Sequence, residues 1–196
     1  MPDNKIVEIN PLTSANWQDL EGLVGAHGAY AGCWCTFWLL KRADFNKMHG
    51  EERKAALKDI TDRGEVVGVM AYVDGKPAGW CSVSPRERFR SLETSRLLKR
   101  VDNVPVWSIV CFFVAKAYRK QRFMSELLRG AVAYAAQHGA KIVEGYPIDL
   151  QHPSLAGKNL TQCSGYMGIA SVFAEMGFVE VKRASETHLI MRYQVE

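Results

Sequence analysis

Val106-Trp107-Ser108-Ile109-Val110-Cys111-Phe112-Phe113-Val114, with the turn Ala115-Lys116-Ala117-Tyr118-Arg119-Lys120-Gln121-Arg122-Phe123 and the segment Met124 to His138 behind it, decides the fold. The first run is too continuously apolar to keep one wet face, which predicts a strand covered on both sides, central in its sheet. In the last segment Leu127, Leu128, Ala131, Val132 and Ala135 recur at helical spacing, and Gly139 stops the helix. Lys141 to Tyr146 reads as the next strand, ended by Pro147. Strand, helix and strand in that order make a crossover between parallel neighbours.

On the N-terminal side, Val66 to Val73 and Pro77 to Val83 flank Asp74-Gly75, a hairpin signal. Lys5 to Ile9 alternates as a short strand. Thr13 or Ser14 caps a helix to about His27, and Glu51 to Arg63 reads as a second helix. Ser91 to Arg100 is a short helical or irregular insertion. On the C-terminal side, Asp149 to Ser164 is a polar loop and Ile169 to Met176 a short helix. Phe178 to Lys182 and His188 to Tyr193 form a closing hairpin. The order predicts a single α/β (α+β) domain over 1–196, a mixed central sheet of about six to seven strands flanked by helices.

The 196 residues carry a formal charge of +4, with 47% hydrophobic and 23% charged residues. That is ordinary globular composition. The densest basic run is Arg86, Arg88, Arg90, Arg96, Lys99 and Arg100, broken by Glu87, Glu93 and Asp102. It reads as a solvated face, not a nucleic-acid stripe. No leader or membrane span is read, and five scattered cysteines argue against a disulfide framework. The expected compartment is cytoplasmic. Cys33-Trp34-Cys35 lacks a second ligand pair at suitable spacing, so no metal is expected.

A helix starting directly after a turn with Arg119, Lys120 and Arg122 reads as an anion site, because its first N–H groups are unpaired, the other reading being an ordinary helix start behind a basic loop. The whole strand-turn-helix resembles the shared motif of the GNAT superfamily of acyl-CoA-dependent N-acyltransferases. Phe173-Ala174-Glu175-Met176-Gly177-Phe178 resembles the family's second signature. Cys33-Trp34-Cys35, Gly79-Trp80-Cys81, Trp107 to Val114 and Glu144-Gly145-Tyr146-Pro147 look like a bacterial subgroup of uncertain substrate. The resemblance implies a GNAT fold and acetyl-CoA as co-substrate. Backbone of Phe112, Phe113 and Val114 would pair with pantetheine, and Arg119, Lys120, Gln121, Arg122, Phe123, Met124 and Ser125 would surround the pyrophosphate. It also implies direct attack by a primary amine in a ternary complex, the acceptor being a small molecule or a peptide amine. No nucleic-acid or membrane partner is expected, and a homodimer is left open.

The motif R-x-x-G-x-G/A has lost both small residues, to Arg122 and Met124. A shifted cofactor pose, weak binding, or a GNAT fold kept as a non-catalytic ligand-binding or sensor module all fit that departure. The family's usual proton-donating Tyr falls on Phe173, so Tyr166 is the replacement candidate, its other reading being a structural aromatic. Glu144 is the base candidate, facing either the cleft or solvent, with His152 a weaker one. Trp34, Phe37, Trp38 and Tyr146 are the acceptor-pocket candidates, with helix packing as the other reading for the aromatic block. Cys111, inside an apolar strand, reads as a small hydrophobe.

Overall fold

The computed structural model describes residues 7–65, 67–119, 121–158 and 165–195. The elements are β1 Val7–Pro11, α1 Trp17–Val24, α2 Arg42–Lys47, α3 Gly50–Asp62, β2 Val69–Val73, β3 Lys76–Pro85 and α4 Arg90–Glu93, then β4 Trp107–Val114, α5 Phe123–Gln137, β5 Ile142–Gly145, α6 Ala170–Glu175, β6 Val179–Arg183 and β7 Leu189–Gln194. They build a seven-stranded mixed sheet of order β1-β2-β3-β4-β5-β7-β6. β4 is the central strand, and β4–β5 is the parallel pair. The β2–β3 turn has φ of 49° at Asp74 and 73° at Gly75, the left-handed pair that a two-residue hairpin needs. The first helix is shorter than expected because Gly25 ends it at φ 80°. α2 has no counterpart in the sequence reading.

The sheet is covered on both faces. Phe123, Leu127, Leu128, Ala131, Val132 and Ala135 of α5 pack on one face with Ile109, Phe112 and Phe173. Gly79 of β3 sits directly beneath them. A Cβ there would stand 2.5 Å from Leu127 Cδ1 and 2.8 Å from Phe123 Cε1, so its absence lets α5 lie close to the sheet. On the other face Trp17, Leu20 and Val24 of α1 and Leu57 of α3 pack with Trp34, Trp80, Val110 and Tyr146.

Two irregularities position the functional region. The parallel ladder pairs Trp107 with Val143, Ser108 with Glu144 and Ile109 with Gly145, and stops there. β4 runs on to Val114, whereas the chain after Gly145 turns away at Pro147, so the two strands form a fork. Within β4, Ser82 faces Cys111 and Val83 faces Ile109, which leaves Val110 as an extra residue, a bulge. The bulge breaks the alternation: Ile109 and Phe112 face α5, while Val110 and Cys111 both face the α1 side. Phe173 fills the base of the fork. A Cβ at Gly145 or Gly168 would meet its ring at 2.2 and 2.4 Å.

Candidate functional site

The open arm of the fork leads to two adjoining cavities. One, of about 340 Å³, is lined by Phe112, Val114, Arg119, Met124, Gly165 and Tyr166. The other, of about 370 Å³, lies between the turn after β4, the start of α5 and α6, with Arg122, Phe123, Ser125 and Glu175 among its walls. Val114, Arg119 and Met124 border both, so together they form one cleft. Of the sequence-predicted cofactor residues, Phe112, Val114, Arg119, Arg122, Phe123, Met124 and Ser125 come together here. Phe113 points to the opposite face, Gln121 is exposed with its side chain donating to Ala117 O at 2.7 Å, and Lys120 lies outside the described residues.

Arg122 occupies the N-cap of α5 in the left-handed region, at φ 59° and ψ 12°, and no side chain caps the helix. The backbone thus keeps the conformation that glycine serves best, with an arginine in it. Ser125 N–H donates to the Arg122 carbonyl at 3.0 Å, and the positive end of the helix dipole faces an anion at this terminus. Arg119 stands opposite, its Nε donating to Val114 O at 2.9 Å. Arg122 Nη2 pairs with Glu175 of α6 at 2.9 Å, an exposed contact worth little. A non-glycine residue at positive φ costs about 1–2 kcal/mol. Arg122→Gly is therefore expected to raise stability by about 0.5–1 kcal/mol after the entropic loss of glycine, read as a shift of the urea midpoint at unchanged slope.

Tyr166 crosses the fork. Its carbonyl accepts from Phe112 N–H at 2.6 Å, on the open edge of β4. Burial is the first cause that pushes its phenol above the ordinary range; Cys111 adds to this, while Arg119 and the backbone N–H of Tyr30 oppose it. The phenol therefore stays protonated at neutral pH, placed between β4 and the loop after α1.

Glu144 is 1% exposed. Arg86 Nη1 donates to its Oε1 at 2.9 Å, Tyr146 Oη donates to the same oxygen at 2.7 Å, and Arg192 Nε donates to Oε2 at 2.8 Å. Arg86 also donates to Tyr146 Oη at 2.6 Å, to Glu93 at 2.7 Å and to Leu98 O at 2.7 Å. Tyr146 spends its proton on Glu144, so the 2.8 Å bond with Ser108 has the serine as donor. Arg192 closes the set with a two-pronged contact to Asp102 at 2.7 and 3.0 Å. Asp102 and then Glu144 hold the Arg192 guanidinium above its usual range. Burial first, and then the Glu144 charge, raise the Tyr146 phenol. The network ties the paired part of the fork to the segment after β3. Arg86, which reads from sequence as one of a solvated run, is its hub at 1% exposure.

The acceptor-pocket candidates separate. Trp34 is 2% exposed and stacks on Trp17 with centroids 6.2 Å apart, inside the core. Tyr146 is fully buried in the network. Phe37 and Trp38 are half-buried in an edge-on pair, with the Arg42 guanidinium 3.5 Å over Phe37. Their segment is tied to the α4 region by Ser91 N–H donating to Trp38 O. His152 accepts from the Ser154 backbone at the start of a short helical turn. Among the described residues no group of three or more His, Cys, Asp or Glu is placed to hold a metal, and no helix is long and apolar enough to cross a membrane.

Three solved structures share this architecture. An acetyltransferase of the GNAT family from Streptococcus agalactiae superposes with TM-score 0.56 at 11% identity, over 98% of this chain and 99% of its own. PaiA N-acetyltransferase from Thermoplasma acidophilum, in complex with coenzyme A, gives 0.53 at 12%, over 97% and 99%. Arabidopsis thaliana NAA60, in complex with acetyl-CoA, gives 0.50 at 15%, over 97% and 100%. No curated protein matches the chain significantly by sequence. Residues 34–155, more than half of the chain, match the acetyltransferase (GNAT) family. The forked sheet, the basic turn and the sequence match agree, and this chain belongs to the GNAT acetyltransferase family.

Proposed function

We propose that the chain is an acyl-CoA-dependent N-acyltransferase that moves an acetyl group from acetyl-CoA to a primary amine, by direct attack in a ternary complex. The observation that carries this reading is the fork. Beyond Ile109 the edge of β4 is not paired with β5; once the Tyr166 carbonyl moves off Phe112 N–H, that edge can pair with an extended ligand through its backbone, and β4 leads it straight to the N-terminus of α5. The cleft there has the shape and charge for an extended, anionic thioester: apolar walls from Phe112, Val114 and Met124, then Arg119, Arg122 and uncapped helix amides for the diphosphate. The two CoA-bound relatives share this fold.

Tyr166 is the proposed proton donor to the departing thiolate. It lines the cleft and stays protonated at neutral pH. Tyr166→Phe is expected to lower kcat on the order of 100-fold, with the acetyl-CoA dissociation constant unchanged. An equal loss of affinity would instead make Tyr166 a binding residue. Glu144 is assigned to positioning, because three donors already occupy its two oxygens. It holds the fork at the point where the strands part. The acceptor class is a small-molecule or peptide amine.

Thermal melting with acetyl-CoA, CoA and inorganic pyrophosphate tests the reading. Ligand at 100 times its dissociation constant should stabilise by about 2.7 kcal/mol, and thiol release should follow across a panel of primary amines. No shift with either CoA species would sink it. A second reading, a module that binds CoA without turnover, is favoured by one contact: the Tyr166 carbonyl sits on Phe112 N–H at 2.6 Å, on the strand edge that the ligand would use. Binding without thiol release would select that reading.

A further inference from the structure

Cys35 and Cys111 belong to parts of the chain that the sequence keeps far apart, yet their Sγ atoms stand 3.5 Å from each other. A disulfide needs about 2.05 Å, so small side-chain adjustments separate the dithiol from a bond. The approach is built by backbone features on both sides. The β4 bulge turns Cys111 to the α1 face, where regular alternation would have turned it away. Cys35 sits at φ 57° in a segment where Gly28, Ala31 and Gly32 also have positive φ. A left-handed cysteine carries strain that surrounding structure must maintain, and here it aims a thiol at the cofactor strand. Trp80 lies beside the Cys35 sulfur and acts to lower its thiol. Cys81 lies on the other face of the sheet.

We propose that Cys35 and Cys111 are an oxidation site that forms an intramolecular disulfide, fastening the loop after α1 to the cofactor strand beside Phe112. Cys111 is the more exposed residue of the two, so it meets the oxidant first. Cys35 is buried, and the hydrogen bond with Cys111 and burial hold its thiol above the ordinary range. Cys35 is therefore the resolving partner. With a hydroperoxide as oxidant, the Cys111 thiolate attacks the O–O bond and releases the alcohol or water, leaving a sulfenic acid. The Cys35 sulfur displaces hydroxide from it, which leaves as water with the Cys35 proton. The two thiols lose two electrons and two protons; the hydroperoxide gains them. The site rests on geometry alone, and its effect on turnover rests on the acyl-transfer reading above.

The test is oxidation of the folded chain with hydrogen peroxide or diamide, alkylation of the remaining thiols, and peptide mapping. The expected product lacks the mass of two hydrogens and links the Cys35 peptide to the Cys111 peptide. Thiol-release activity should fall at least tenfold and return with dithiothreitol. Cys35→Ser should keep its activity through the same treatment. Linkage of any other pair, or no linkage under native conditions, would overturn the proposal. Mapping needs neither acyl transfer nor a variant. A missing cross-link is therefore distinguishable from a failed acyltransferase assay.

Discussion

Arg86→Met is expected to destabilise the fold by about 3–5 kcal/mol, the cost of removing one partner from a buried ion pair. For a chain of this size that lowers the melting temperature by roughly 10 °C. The reason lies in what the guanidinium leaves behind. Glu144, Tyr146, Glu93 and the Leu98 carbonyl lose a donor together, and Glu144 and Tyr146 have no access to water. Arg192 keeps Glu144 Oε2 but not Oε1. Adding Glu144→Leu to Arg86→Met should recover part of the loss, because the buried carboxylate that has lost one of its two cationic partners goes too. A loss unchanged in the double variant would show that the remaining contacts of Arg86, not the ion pair, set its contribution. Glu144→Gln separates positioning from base catalysis. A positioning role lowers the melting temperature and leaves the pH–rate profile in place, whereas a base role removes the acidic limb of that profile.

The second large effect concerns the cleft. Arg119→Glu together with Arg122→Glu should weaken acetyl-CoA binding on the order of 100-fold or more. Each charge-assisted hydrogen bond contributes about 1.5–3 kcal/mol, and reversal adds repulsion beside a helix terminus that favours anions. The fold should survive, since Arg122 is exposed and, among the described residues, Arg119 bonds only the end of its own strand. Calorimetry at two salt concentrations checks this. The wild-type chain should lose affinity as salt rises, and the double variant should lose much less. Equal affinity in both proteins would place the diphosphate away from this turn.

Much of this was legible in the chain itself. The apolar run Val106 to Val114 fixed a central strand because a strand with no polar alternation must be covered on both faces. Leu127, Leu128, Ala131, Val132 and Ala135 fixed the helix behind it, and Asp74-Gly75 fixed the hairpin, through the backbone angles those residues accept. Arg119 and Arg122 marked the basic turn. These are local properties: period, turn chemistry and charge at neighbouring positions.

The fork was not legible. Pro147 marks where β5 ends, but the pairing partner of β5 and the one extra residue at Val110, on which the fork also depends, leave no compositional trace. The same applies to Arg86. Its neighbours Arg88 and Arg90 are exposed and it is not, although all three look alike in sequence. Burial of a charge is decided by partners from distant segments, here Glu144 and Tyr146. Glu144 carries the complementary case. Sequence could leave it facing cleft or solvent, and the packed structure puts it in neither place. By itself the sequence determined the order of elements and the basic turn, because both follow from local backbone preference and hydrophobic period. Only the tertiary structure decided which charges are enclosed, which thiols meet and where the strands part, because those depend on contacts between residues that the chain holds far apart.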